Sequence, residues 1–128
     1  MRLLLDTHAL LWWALDDPKL SRPAYAAIAD PAHHAHVSPV SVFELATKHR
    51  LGKLPTAEAL LADLDRYLRD QGFALLPLDL PSAHRAGRLP GPHRDPFDRL
   101  LIAQAITADL ALVSDEAGFD AYGVRRLW

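Results

Sequence analysis

Apolar runs of strand length alternate with helical patterns from one end of this chain to the other, and the connections between them are short. Parallel strands need a crossover, usually a helix, so this alternation confines the chain to a parallel sheet with helices packed on it. Leu3 to Leu5 reads as a short buried strand, and Thr7 to Leu15 as the helix after it, bounded by Asp16-Asp17-Pro18. Ser21 caps a second helix, Arg22 to Ala29, closed by Asp30-Pro31, and Ala35 to Val37 fits a strand. Ser38-Pro39 has the form of an N-cap and first helical position, opening a helix that runs to about Arg50 and stops at Gly52. Thr56 is expected to cap one continuous helix from Ala57 to about Asp70, with Leu60, Leu61, Leu64 and Leu68 at helical spacing and Gly72 at its end. Phe73 to Leu78 reads as a second full strand, Pro81 to Arg88 as a short helix, and residues 89–94 as a loop. Asp95-Pro96 then opens a helix to about Ala108, followed by a strand over Ala111 to Val113 and an edge strand over Val124 to Leu127. With no repeat and no linker, residues 1–128 are expected to form one α/β domain, a central parallel sheet flanked by helices.

Composition removes several function classes. The chain has no cysteine, so disulfides, thiolate metal sites and thiol nucleophiles are excluded. Half of it is apolar and no stretch is biased enough to read as disordered. A net charge of −2 does not announce a nucleic-acid binder, although carboxylates destined to hold a cation count toward it. Arg2 and the leucines after it look superficially like a secretion signal. Asp6 and His8 interrupt that stretch, however, and no small-residue cleavage site follows. No segment approaches the ~20 apolar residues of a membrane span, so the expectation is a cytoplasmic protein.

Four acids stand at the ends of these elements, far apart in sequence: Asp6, Glu44, Asp98 and Asp115. The carboxyl ends of parallel strands share one crevice, where ligands bind. Carboxylates gathered there repel one another unless a cation joins them, and hard oxygen donors point to Mg²⁺ or Mn²⁺. Such an ion makes a water nucleophilic and stabilises charge on the attacked and leaving oxygens of a phosphodiester. Each acid also has a structural reading. Asp6 fits a helix N-cap, and Asp95 and Asp98 fit N-cap and third position of theirs. Glu44 lies on what should be a partly buried face, where a carboxylate needs a cationic partner. Lys48, one helical turn on, either pairs with Glu44 or faces a phosphate. Arg99, directly after Asp98, is a salt-bridge candidate.

The histidines offer a rival site. His33, His34 and His36 are placed in a loop, and neighbours so close in sequence rarely converge on one ion. His8 lies two residues after Asp6, and His84 and His93 are expected along a groove. Basic residues cluster at Lys48, Arg50 and Lys53 and again at Arg85, Arg88, Arg94 and Arg99. Solvated helix faces account for most of them. Both clusters nonetheless flank segments bearing an acid, as a phosphate-tracking groove requires.

The segments LLLDTHALLWW (3–13), SPVSVFELATKHRLGKL (38–54), HRDPFDRLLIAQA (93–105) and LVSDEAGFDAYGV (112–124), in this order, resemble the PIN-domain ribonucleases, specifically the VapC-type toxins of toxin–antitoxin pairs. The resemblance implies Asp6 and Asp98 as principal ligands of Mg²⁺ or Mn²⁺, with Glu44 and Asp115 as direct or water-mediated ligands. It implies Thr7 and Ser114 as small hydroxyl residues beside those acids. Asp95 belongs to the DPFDR form of the third block and serves either as N-cap or as ligand. An RNA substrate, a VapB-type antitoxin and a homodimer are also implied. Trp12 and Trp13, adjacent on a helix, point about 100° apart. Either one of them stays exposed to receive an apolar antitoxin segment, or both pack internally. Two other classes are weighed. A receiver-type phosphoacceptor domain would need paired acids after the first strand and an Asp after a central strand, which this chain lacks. A PIN-fold binding module without catalysis would not need all four acids.

Overall fold

The computed structural model describes residues Met1–Trp128. Five parallel strands, β1 (Arg2–Leu5), β2 (His34–Val37), β3 (Ala74–Leu75), β4 (Ala111–Val113) and β5 (Arg126–Leu127), form one sheet in the order β3-β2-β1-β4-β5. The chain therefore builds outward from β1 in one direction, then returns to the other side of β1 for β4. That reversal makes the gap between β1 and β4 a topological switch point. The receiver-type order begins 2-1-3, so the alternative of a phosphoacceptor domain does not match this sheet.

Seven α-helices cover the sheet: α1 (Thr7–Leu15), α2 (Arg22–Ala29), α3 (Pro39–Arg50), α4 (Glu58–Ala62), α5 (Leu64–Gln71), α6 (Leu80–Arg88) and α7 (Pro96–Ala108). Alternate strand residues point to opposite faces. Leu3, Leu5, Ala35, Val37, Ala111 and Val113 accordingly enter one core with Leu10, Ile28, Leu45, Leu60 and Leu68. Leu4 and Leu112 enter the other, against Leu101, Ile102, Ala105 and Phe119. Leu3, Leu4 and Leu5 are all fully buried, each contributing about 1.5–3 kcal/mol of transfer free energy. β1 is thus sandwiched on both faces, which anchors the residue that follows it.

Several expectations need correction, and the edge strand placed at Val124 to Leu127 begins only at Arg126. The helix placed from Ala57 to Asp70 is two helices, because Asp63 leaves helical geometry (φ −143°, ψ 60°). Thr56 caps neither; it lies inside a short 3-10 turn, Pro55–Ala57, whose start has no side-chain cap. Both halves still send a leucine, Leu60 and Leu68, into the same core. The strand placed at Phe73 to Leu78 is only Ala74–Leu75. Pro77 has no N–H to donate, and the Leu76 and Pro77 carbonyls accept from Gln104 Nε2 at 3.2 and 3.3 Å instead of from a strand. His34 and His36 belong to β2 rather than to a loop. His36 Nδ1 lies 2.9 Å from the Leu3 carbonyl oxygen and His33 Nδ1 2.8 Å from that of Ala27, so these rings serve the backbone and do not converge.

Candidate active site

Asp6 follows β1 immediately and caps α1. Its Oδ1 accepts the Ala9 N–H at 2.8 Å, while its own N–H donates to the Val113 carbonyl of β4 at 3.1 Å. The carboxyl is therefore fixed by both neighbours of the switch point, and it is 5% exposed. Burial pushes it up to about 6, against a pull downward from Ser114, the Ala9 N–H and His8; nearby Asp115 adds to the rise. Ser114, fully buried, ends β4 on the other side of the gap, and its Oγ accepts the Glu116 N–H at 3.1 Å. Asp115, next in the chain, is exposed. Its charge is felt by Asp6 and by Arg126, which donates to the Ser114 carbonyl at 3.0 Å.

The second half of the site comes from the middle of α3 and the N-terminus of α7. Ser38 caps α3, accepting the Val40 N–H at 3.0 Å, and thereby aims Glu44 inward. Glu44 is buried, and it has the cationic partner that the sequence demands: Lys48 Nζ lies 2.5 Å from Oε2. The Thr7 hydroxyl donates to Oε1 at 2.6 Å, tying α3 to the residue after Asp6, and lies 3.2 Å from the Ser41 hydroxyl. The hydrogen bond with Glu44 raises the Lys48 ammonium, partial burial opposes it, and the fields of Asp95 and Asp98 add to the rise.

Asp95 caps α7, its Oδ1 accepting the N–H groups of Phe97 at 2.8 Å and Asp98 at 3.2 Å. That directs Asp98 toward the same crevice, where burial raises its pKa; His93 counteracts this, and Asp95 and Glu44 add to it. His93 Nε2 lies 2.7 Å from Asp98 Oδ2. Arg99 does not pair with Asp98, contrary to expectation. It turns away to donate to the backbone carbonyls of Ala86, Leu89 and His93 at 3.0, 2.5 and 3.0 Å. It therefore pins the loop that carries His93, whose own N–H donates to Tyr122 Oη at 2.8 Å.

The charge of Asp115 thus reaches Asp6 across β1 and β4, and those of Asp95 and Glu44 reach Asp98 between α3 and α7. As the side chains lie, no three acids or histidines converge on one point; Glu44 is paired with Lys48 and Asp98 with His93. The donor chemistry nevertheless fits a hard divalent cation: all the groups are oxygen donors, and burial disfavours the charge on Asp6 and Asp98. The sequence reading placed His93 only along a groove. Its contact with Asp98 arises from a loop fold that spacing does not encode.

Trp12 and Trp13 are both half-buried. Trp13 packs against Tyr25 and Phe73, with ring centroids 5.1 and 6.1 Å away, and its Nε1 donates to Gln71 at 2.9 Å. Trp12 stacks on His8 and Trp128 at 5.4 and 5.8 Å.

With a parallel sheet, its switch-point crevice and the acids around it, the chain belongs to the PIN domain family, whose model matches residues 3–124. Among relatives it is 32% identical over 120 residues to Ribonuclease VapC22 of Mycobacterium tuberculosis, covering 88% of this chain and 85% of that protein. It is a PIN protein of VapC type. Solved structures share the fold, among them chains of two VapBC complexes. A chain of VapBC2 from Rickettsia felis bound to a promoter DNA fragment superposes with a TM-score of 0.72 at 16% identity, over 98% of this chain and 97% of that one. A chain of DNA-bound VapBC from Salmonella typhimurium gives 0.68 at 17%, over 98% and 96%.

Proposed function

We propose that this protein is a Mg²⁺- or Mn²⁺-dependent endoribonuclease, the toxin of a VapBC-type toxin–antitoxin pair acting in the cytoplasm. The observation that carries the reading is the buried, charge-disfavoured Asp6 at the β1–β4 switch point, which feels Asp115 and whose neighbour Thr7 bonds Glu44, with Glu44 in turn felt by Asp98. Asp6, Asp98 and Asp115 would hold the ion, with Glu44 as direct or water-mediated ligand. The ion supplies Lewis acidity and an activated water for phosphodiester hydrolysis. The chain's own groups do the rest. Thr7 orients Glu44, Asp95 fixes the start of α7 beneath Asp98, and Ser114 supports Asp6. Lys48 keeps a cation at the crevice that faces both Asp98 and an incoming phosphate.

The test is cleavage of a structured RNA by the purified protein. Mg²⁺-dependent, EDTA-sensitive cutting is expected, and Asp98→Asn should abolish it while keeping the fold, since the change removes ligand charge and preserves shape. Cutting by Asp98→Asn at the wild-type rate overturns the assignment.

The likeness to VapBC chains supports a VapB-type antitoxin as partner, with Trp12 of the Trp12–Trp13 pair as a docking residue. The homodimer has its own support. An apolar groove of about 480 Å³ between α3 and α7 is lined by Val40, Phe43, Leu78, Phe97 and Leu100, and Phe43 is 63% exposed. A second copy is its proposed occupant, and a monomeric mass by light scattering overturns that part.

A further inference from the structure

Helix α6 and the loop after it form a basic segment without a single acid. Residues 80–94 contain Arg85, Arg88 and Arg94 together with His84 and His93. Arg85, Arg88 and Arg94 take part in none of the molecule's ion pairs. Three of these side chains do not merely radiate into solvent. His84, Arg85 and Arg88 line a pocket of about 430 Å³ whose remaining walls are Pro81, Leu89 and Pro90.

Cations near a helix C-terminus are often explained by the dipole. Here that role is already filled, because Arg99 reaches across from α7 to the carbonyls of Ala86 and Leu89. Arg85 and Arg88 are left to face outward over a concave, proline-walled surface. The same contacts set its distance from the chemistry. Arg99 follows Asp98 in sequence, and Arg94 follows His93, whose ring touches Asp98. The loop from α6 to α7 therefore carries the chain from the pocket, past the uncharged Leu89-Pro90-Gly91-Pro92, to His93 and Arg94 beside Asp98.

We propose that the His84–Arg85–Arg88 pocket, continued by Arg94, binds backbone phosphates of the RNA flanking the cleaved bond. This rests on the nuclease reading above and adds a docking site to it. A chain of net charge −2 with an acidic crevice repels RNA in bulk, and a local basic channel supplies the attraction that its net charge does not. Phosphate contacts position a strand without reading its sequence, so the pocket sets register and leaves base preference to the crevice.

Binding of a fluorescein-labelled oligouridylate, followed by anisotropy in EDTA across a salt series, tests this without any cleavage. The variant is Arg85→Gln/Arg88→Gln, and the control of equal charge loss is Lys19→Gln/Arg22→Gln, two exposed residues that do not line the pocket. The slope of log K against log salt is expected to shrink by about 1.4 in the variant, at ~0.7 per lost phosphate contact on a single strand. The control should keep the wild-type slope. Equal slopes in variant and wild type overturn the proposal, as does an equal loss in the control. An oligoglutamate peptide is run in parallel. If it binds the wild type and is lost from the variant while oligouridylate is unaffected, the pocket serves an acidic protein and the proposal falls. Salt-sensitive oligouridylate binding that needs Arg85 and Arg88, in a protein that cuts no RNA with Mg²⁺, supports the pocket and overturns the nuclease reading alone.

Discussion

Asp6 carries the sharpest consequence at the scale of single residues. Its carboxyl titrates at about 6 in the folded chain against 3.8 outside it. A raised carboxylate binds its proton more tightly when folded, so the stabilisation it gives is complete below pH 3.8 and disappears as the pH climbs through 6. At pH 7 the ionised group therefore opposes folding by about 3 kcal/mol. Asp6→Asn keeps the Oδ1 that accepts the Ala9 N–H and removes the buried charge. In EDTA at pH 7 this variant should melt higher than wild type, by up to ~10 °C, and at pH 3.5 the two should coincide. Equal melting temperatures at both pH values would show that Asp6 is not strained by its surroundings. Glu44 differs, because Lys48 and Thr7 already satisfy it. Both carboxylates are hydrogen-bonded, but Glu44 has a lysine ammonium against it and Asp6 has only the Ala9 N–H and Ser114.

Among the elements, the connection from α6 to α7 is held most tightly where the sequence looks loosest. Gly91 adopts φ +131°, and a Cβ there would lie 2.7 Å from the Tyr122 ring. Tyr122 in turn receives the His93 N–H, and Arg99 holds the carbonyls on either side. Gly91→Ala should destabilise the protein by about 1–3 kcal/mol through backbone strain and the displaced ring. Hydrogen exchange of the His93 amide should accelerate with it. An unchanged His93 exchange rate would mean that Tyr122 moves aside freely and the loop is not clamped.

The whole molecule responds to what binds it. A cation that joins the acids and has no affinity for the unfolded chain stabilises the fold by ~2.7 kcal/mol at a hundredfold excess over its dissociation constant. Millimolar Mg²⁺ or Mn²⁺ should therefore raise the melting temperature of the wild type, and much less that of Asp98→Asn. A melting temperature that neither ion moves argues against a metal site. For the antitoxin, the two tryptophans separate. Trp13 is tied to Tyr25, Phe73 and Gln71, so Trp13→Ala should destabilise the free protein, by at most ~3 kcal/mol for a half-buried ring. Trp12 also touches the core, but its aromatic neighbours are only His8 and Trp128 and its ring makes no hydrogen bond to hold it, so Trp12→Ala should weaken antitoxin binding while costing less melting temperature than Trp13→Ala. If both variants destabilise and neither changes binding, the docking surface lies elsewhere.

Much of this was legible in local chemistry. The caps Asp6, Ser21, Ser38 and Asp95 start helices where their side chains can accept an orphan N–H, and each does so in the folded chain. The alternation of short apolar runs with helices dictated a parallel sheet, and with it a crevice at the strand ends. Periodicity could not show the break at Asp63 or the early end of β3, because both depend on what packs alongside. Gln104, far along the chain, takes the Leu76 and Pro77 carbonyls that a longer strand would have used. Strand order was likewise undetermined until β4 settled on the far side of β1 and brought Ser114 against Asp6. The identities of the acids follow from sequence; their partners do not. Whether a carboxylate meets His93, Thr7 or Ser114 is decided by how separate elements pack, and those contacts exist only once the tertiary structure has formed.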